Sequence, residues 1–561
     1  MSKMIIYQVL PRLFGNLNSS LKRSGDLKDN GVGKFSAFTP EALAKIKELG
    51  TTHIWYTGVI EHATKTDYSA YAIHRDHRAV VKGKAGSPYA IKDYYDVDPD
   101  LADNVPNRMQ EYDDLLQRTH DAGMKVIIDF VPNHVARQYI SDARLPFVED
   151  LGQNDDSTKA FDKDNNFYYL PGQTLQLHFG AKQEAFEYSE FPAKVTGNNC
   201  FNASPTQNDW YETVKLNYGV DYVNGGIPYF KETPNTWKKM LDILLFWAGK
   251  GVDGFRCDMA EMVPVEFWNW AIPKVKQAHD VIFIAEIYNP SEYRNYIYSG
   301  HFDYLYDKVG LYDTLRSVMC KQLPASAITK CWQVLEGIES NMLHFLENHD
   351  EQRIASDFFA GIPDPGIPGM IVSALKTNSP VMLYSGQEIG ERGMDEEGFS
   401  GLDGRTTIFD YWSMESMRNW INDWKFDGEK LTDSQKNLRQ QYVNILQIAA
   451  NEQAISEGVF YDLMYANTDN PYFNPNRQYA FIRKFQNQLL LIVANFDSAE
   501  QTIKIKTPAD LFLTLSIPDN RAAKVTDLLT GETGIGTLTE SWPYQVTVPG
   551  YSGKIIKFVF I

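Results

Sequence analysis

Cysteine is scarce: Cys200, Cys257, Cys320 and Cys331 are the only four among 561 residues, and no two form a C-x-x-C pair. That is too few for a disulfide framework in a chain of this length, so reduced thiols are expected. Long apolar runs are also missing. None approaches the roughly 20 residues needed to span a bilayer, which excludes a helical membrane protein. Positive charge is in deficit, with 54 Lys and Arg against 72 Asp and Glu and a net charge of -18. Without a basic run to follow a phosphate backbone, nucleic acid is excluded as a partner. There is no G-x-G-x-x-G fingerprint and no phosphate-cradling G-K-[ST] loop, which argues against an open nucleotide-binding sheet. Low-complexity segments and long linkers are absent too. The N-terminal MSKMIIYQVLPRLFG has only a short apolar run before Pro11 and no small-residue cleavage site, so it reads as a first strand. A cytoplasmic location follows if Met1 is the natural start.

What is present is a recurring unit. Thr39 and Pro40 read as a helix cap and first position, Leu43, Ile46 and Leu49 keep helical spacing, Gly50 stops the helix, and HIWYTGV follows as a strand. Met109, Tyr112, Leu116 and Thr119 share a second helical face that stops at Gly123 and runs into KVIIDFV. A third helix, Trp237 to Ala248, opens through glycines onto GVDGFRCD. Helix, glycine, buried strand is the signature of right-handed βα repeats around a parallel sheet. Adding Met4 to Leu10, VIFIAEIY (281 to 288), FDYLYD (302 to 307), MLHFLENHD (342 to 350) and VMLYSGQEIG (381 to 390) brings the strands to eight, the number that closes a (β/α)8 barrel. The last barrel helix is expected at about Asp433 to Asn451.

Two regions break this rhythm. Pro132 to roughly Gly219 is too long for a βα loop and rich in Asn, Asp, Gly and aromatics, so an inserted domain is expected at 132–219, after the third strand. From about Tyr461 onward short alternating segments replace helical periodicity: QYAFIRKF, QLLLIVANF, QTIKIKT, YQVTVPG and KIIKFVFI. They point to a C-terminal β-sandwich over 456–561, leaving 1–131 and 220–455 to the barrel.

Chemistry on such a barrel sits at the C-terminal ends of its strands. Four strands here end in polar clusters: Asp129 with Asn133 and His134, Arg256 with Asp258, Glu286 alone, and His349 with Asp350. In GVDGFRCDMAEM, alternation puts Arg256 and Asp258 on one face, where the guanidinium can fork onto the carboxylate and keep it ionised. A structural ion pair would give the same local pattern. Four such endings in one chain are better explained by a shared polar site.

DFVPNH, GFRCD, the AE closing VIFIAE, and FLENHD, in this order, resemble the four signature regions of the α-amylase family, glycoside hydrolase family 13. The resemblance implies the same barrel, inserted domain and C-terminal sandwich. It implies Asp258 as nucleophile, Glu286 as general acid/base and Asp350 as stabiliser of an oxocarbenium-like transition state. His134 and His349 match substrate-contacting histidines, and Arg256 the arginine beside the nucleophile. Tyr89 matches an aromatic that stacks on the same sugar, with Asp93 four residues on; Tyr94 and Tyr95 leave that assignment free to slip. Asn133 corresponds to a calcium ligand in many members, so calcium is the one cofactor implied. Met262 stands where many members have a histidine, four residues after the nucleophile.

The function implied is a retaining α-glucosidic hydrolase that cuts α-1,4 bonds of starch, glycogen or maltodextrins, with an α-glucan as its partner. A glucanotransferase or a sucrose- or trehalose-directed enzyme would use the same residues. A non-catalytic sugar-binding or transport-accessory protein is a third reading, though such relatives are expected to lose catalytic carboxylates. The loop 393–412, GMDEEGFSGLDGRTTIFDYW, reads either as a liner of the acceptor side or as a packed surface excursion.

Overall fold

The computed structural model describes residues 3–180 and 187–560. Eight parallel strands close into a barrel: β1 (Ile5–Val9), β2 (His53–Tyr56), β3 (Lys125–Phe130), β4 (Gly254–Cys257), β5 (Ile282–Ala285), β6 (Tyr304–Tyr306), β7 (Met342–Phe345) and β8 (Val381–Tyr384). They are the eight strands expected, each shorter than expected at one or both ends. Neighbours follow chain order, and β1 pairs with β8 to shut the ring.

The helices show why the recurring unit folds as it does. α1 (Pro40–Lys47) is capped by Thr39, whose side chain accepts a hydrogen bond from the Ala42 N–H, and Pro40 takes the first position, where a missing N–H costs nothing. Ala42, Leu43 and Ile46 are buried against the barrel. α2 (Arg108–Asp121) buries Tyr112, Leu115, Leu116 and Thr119. α3 (Asn235–Gly249) and α4 (Val265–Ala278) cover β3 to β5 with Trp247, Phe267 and Trp268. The glycines expected to stop the first three helices, Gly50, Gly123 and Gly251, all take positive φ, a turn that other residues enter only at a cost.

Inside the barrel, alternation sets two layers. Ile6, Trp55, Ile127, Ile284, Leu343 and Met382 form a sealed apolar plug. Two residues beyond Ile6, Ile127, Gly254 and Ile284 on the same inward faces, the side chains become Gln8, Asp129, Arg256 and Glu286. The polar layer therefore stands on a packed floor at the C-terminal end, where this fold carries its chemistry.

Beyond β3 the chain leaves the barrel in short antiparallel pairs. His134–Ala136 pairs with Thr213–Lys215, and Tyr169–Leu170 with Ala193–Lys194. A further hairpin, Val220–Asp221 with Ile227–Pro228, lies past 219, so the irregular stretch runs on to α3. Residues 181–186 of this stretch lie outside the described residues.

α5 (Gly366–Leu375), between β7 and β8, is buried on every side. α6 (Asp433–Asn451) falls where the last barrel helix was expected. The C-terminal region is antiparallel: a six-stranded sheet built on Gln478–Phe485, Gln488–Asn495 and Ser552–Phe560, and a two-stranded sheet of Gln501–Ile505 with Tyr544–Val548. Ile561, the end of the last expected strand, lies outside the described residues. Val459–Asp462, Arg521–Asp527 and Thr533–Leu538 complete the larger sheet. Two of them are largely exposed, without the apolar alternation that would have marked them. All four cysteines are free. Among the described residues no helix is long and apolar enough to cross a membrane.

Candidate active site

The centre of the polar layer is Arg256, which is wholly buried. Its Nη1 donates to Asp258 Oδ1 at 2.8 Å and to Asp129 Oδ1 at 3.3 Å, and its Nε donates to the Tyr306 hydroxyl at 3.1 Å. Nη2 lies 2.8 Å from Glu286 Oε2 as an ion contact without hydrogen-bonding geometry. The guanidinium is also packed among the Trp55, Tyr89 and Tyr306 rings, 5.3–5.4 Å from their centroids.

The sequence suggested that Arg256 serves Asp258. In the structure it is divided among three carboxyl groups. Burial, with Glu286, Asp129 and Asp350 nearby, outweighs the guanidinium and moves Asp258 above the usual carboxylate range. Asp129 is pushed up to about 6 by burial, with Arg256 and the Trp55 N–H opposing. Asp350 is raised by burial first and by Glu286 second. Burial and mutual repulsion thus favour keeping a proton within the set, and the guanidinium favours charge on the oxygens it touches, the balance by which acid and base roles sit side by side.

Local backbone geometry aims these groups. The Asp258 N–H is held by the Phe130 carbonyl at 2.9 Å, continuing the β3–β4 ladder. Met259 then takes φ 43°, a left-handed conformation costing roughly 1–2 kcal/mol in a residue with a side chain. This sharp turn ends the strand and points the Met259 N–H at Glu286 Oε2, 2.9 Å away. The Tyr288 hydroxyl donates to Glu286 Oε1, so both oxygens of that carboxyl are oriented.

Asp258, Glu286 and Asp350 line one cavity of about 210 Å³ together with Tyr89 and His134. Tyr89 stacks on His349 at 5.2 Å between ring centroids, and its hydroxyl meets His349 Nε2. His349 is held from behind by Gln8 at 2.8 Å and lies 3.2 Å from Asp350 Oδ2. Burial lowers both histidines, His134 to about 3, so they are neutral hydrogen-bonding groups. A larger cavity, about 810 Å³, opens at the other end of the barrel beside Met4, Thr52 and Tyr304. It has no converging acid pair and lies at the end of the strands that this fold uses for stability.

Two expected site residues are elsewhere. Asp93 is fully buried and turned away from the cavity: its carboxylate accepts from the Ser141 hydroxyl at 2.6 Å and from the Tyr95 and Ala143 N–H groups, beside Glu61 and Asp96. It holds the inserted segment to the strand Ile91–Val97 and does not face a sugar. Asn133 does not offer a cation its oxygen. Lys215 Nζ donates to Asn133 Oδ1 at 2.7 Å, and Asn133 Nδ2 donates to the Gly197 carbonyl at 2.8 Å. Lys215 is buried and lowered to about 7 by desolvation. A calcium ion at Asn133 would meet an amino group where it needs an oxygen donor, so these residues do not fit the metal.

Several wall residues carried no signal in the sequence. Trp210 and Glu212 come from the irregular inserted segment, and Lys82 and Ser87 from the loop after β2. Tyr288 was within reach, because alternation beyond Glu286 puts it on the same face. Loop 393–412 supplies Phe399, Ile408 and Phe409 to the same cavity as Tyr89 and His134, so it lines the cleft.

The α-amylase catalytic-domain family matches residues 8–442. This chain belongs to the α-amylase family, glycoside hydrolase family 13. It is 24% identical over 295 residues to maltase A2 of Drosophila melanogaster, a match covering 50% of this chain and 41% of the maltase. It is also 24% identical over 318 residues to the human amino acid transporter heavy chain SLC3A1, covering 56% of this chain and 35% of that protein. The chain thus spans less than half the length of either relative. The crystal structure of an α-amylase from Geobacillus thermoleovorans, complexed with acarbose, superposes with a TM-score of 0.64 at 18% identity, covering 99% of this chain and 98% of that one. That likeness is one of fold. For a member of the α-amylase family, hydrolysis or transfer at glycosidic bonds is the chemistry in question.

Proposed function

We propose that this chain is a retaining α-glucosidic hydrolase that cuts α-1,4 bonds of maltodextrins, starch or glycogen. The observation that carries this reading is the convergence of Asp258, Glu286 and Asp350 in one aromatic-lined cavity, with Arg256 buried beneath them. In the first step Glu286 gives its proton to the glycosidic oxygen while an Asp258 oxygen bonds to the anomeric carbon, and the C–O bond to the leaving sugar breaks. In the second, Glu286 takes a proton from water, the water oxygen bonds to the same carbon, and the Asp258 ester is released. Asp350 binds sugar hydroxyls, with bonds that tighten as the ring flattens, and His349, held by Gln8 and Tyr89, fixes the wall behind it. Tyr89 offers its face to the apolar side of the ring.

The cavity is smaller than the roughly 300–1,000 Å³ of sites that enclose drug-sized ligands. That size favours short glycosyl segments over long ones. The transporter heavy chain among the relatives keeps the non-catalytic reading in view, and the complete carboxylate set weighs against it.

Incubation with maltoheptaose, alongside the Asp258→Asn variant, tests the proposal. Shorter products that first appear as the α-anomer, and that are lost in the variant, are the expected result. Longer products would replace the hydrolase by a transferase, and β-anomeric products would overturn retention.

A further inference from the structure

Two charged side chains in the cavity wall have no partner in the catalytic cluster. Glu212 is buried to 5% exposure, yet its Oε2 finds no hydrogen-bond partner among the described residues. A buried carboxylate oxygen left unpaired is costly, so the position is one that a ligand can repay. Its backbone is firmly placed: the Glu212 carbonyl accepts from the Arg137 N–H at 2.9 Å, and Thr213 enters the short strand beside His134. The side chain is thus held at the cavity while its oxygen is left free.

Lys82 supplies the second charge. Its ammonium lies 4.3 Å from the Phe409 ring centroid and 5.6 Å from that of Phe399, and among the described residues it makes no hydrogen bond or ion pair. Its loop is clamped as well. The Ala85 and Gly86 N–H groups donate to the Phe409 carbonyl, and the Lys84 N–H donates to Asp410. Lys82 is the foremost cation acting on Glu212, but the two do not form an ion pair. A direct pair would have satisfied both.

We infer that Glu212 and Lys82 form a hydroxyl-binding clamp for the sugar on the glycosyl side of Asp258, Glu212 accepting from one hydroxyl and Lys82 donating to its neighbour. A sugar hydroxyl both donates and accepts, and a vicinal pair can bridge an anion and a cation that stand apart. The clamp is electrically balanced, so it suits a neutral glycosyl unit over an acidic or an amino sugar. Trp210, packed 5.2 Å from His134, and the Phe399 and Phe409 rings supply apolar faces beside it. The side follows from the company it keeps: Glu212 stands two residues after Trp210, which packs on His134, and Lys82 and Ser87 share the loop that leads to Tyr89.

This inference rests on the proposed reaction for its orientation, and the experiment separates the two. Maltotriose binding is measured calorimetrically on Asp258→Asn, which removes turnover, and on the same protein carrying Glu212→Gln or Lys82→Met. Each added change is expected to weaken binding about 10- to 100-fold, the effect of one charge-assisted hydrogen bond, with the melting temperature held. In the otherwise native chain the same changes should lower kcat/KM for p-nitrophenyl α-maltoside, whose sugar all lies on the glycosyl side, by a similar factor. Unaltered maltotriose affinity in both variants overturns the clamp, as does unaltered kcat/KM on the aryl maltoside. A native chain that cleaves no α-glucoside refutes the proposed reaction, and the binding comparison still decides the clamp.

Discussion

Two buried acidic clusters sit near the barrel mouth, and their difference explains why only one is proposed as the site. In the first, Arg256 is shared by Asp129, Asp258 and Glu286. In the second, Lys92 lies between Glu61 and Asp76, and Arg108 is forked onto Asp96, with Asp93 alongside. Both pack carboxyl groups around too few cations, and burial raises Asp129 and Asp258 in the first and Glu61, Asp93 and Asp96 in the second. The first opens onto the cavity of about 210 Å³, and the second contributes no residue to it. Asp258, Glu286 and Asp350 line that cavity, whereas Asp93 spends its oxygens on backbone N–H groups and Ser141. Perturbed titration marks both clusters, and the direction in which the lone pairs point tells them apart.

The comparison can be broken most sharply at Glu286. Glu286→Gln should lower turnover of maltoheptaose about 10²- to 10⁴-fold while thermal unfolding shows the fold intact. A variant retaining native turnover would place the chemistry elsewhere. Arg256→Met comes next. It leaves Asp129, Asp258 and Glu286 without their shared cation, so urea titration should show a loss of about 3–5 kcal/mol along with loss of activity.

A charge sealed away from any carboxylate gives a third test. Lys215 is lowered to about 7, so between pH 7 and its ordinary value near 10.5 the unfolded chain holds a proton that the folded chain has released. Stability should therefore rise with pH across this window by a few kcal/mol relative to Lys215→Met. An equal slope in the two proteins would contradict the burial of that amine. The smallest effect belongs to Asp93→Asn. It should cost about 1–2 kcal/mol in urea titration and change kcat/KM on maltoheptaose less than about twofold. A large kinetic loss without loss of stability would return Asp93 to the substrate site.

The barrel was legible because its strands are short apolar runs behind glycine-stopped helices, a pattern that tertiary context reinforces. Arg256 and Asp258 were legible as neighbours because strand alternation puts them on one face, whereas Glu286 and Asp350 were picked out by the resemblance of their motifs. Asp93 misled because it follows Tyr89 on a strand, Ile91–Val97, that twists through irregular pairing with Ile60–His62, so sequence spacing gave no direction. Asn133 misled for a related reason. Its partner Lys215 is brought back by a small sheet formed across 82 residues of irregular chain. Glu212, Trp210 and Lys82 sit on loops without periodicity, and no local rule places such side chains.

The wholly buried helix α5 carries a last consequence. Its residues pack against Gln488–Asn495 and Ser552–Phe560 on one side and against β7 on the other. The approach is so close that a Cβ at Gly553 would come within 2.5 Å of the Ile371 side chain. The C-terminal sheets therefore form the outer wall of the catalytic domain's own core. Gene fusions or module exchanges that cut after Asn451 would strip that wall and expose an apolar helix to solvent, so they should yield aggregating protein instead of a free-standing barrel.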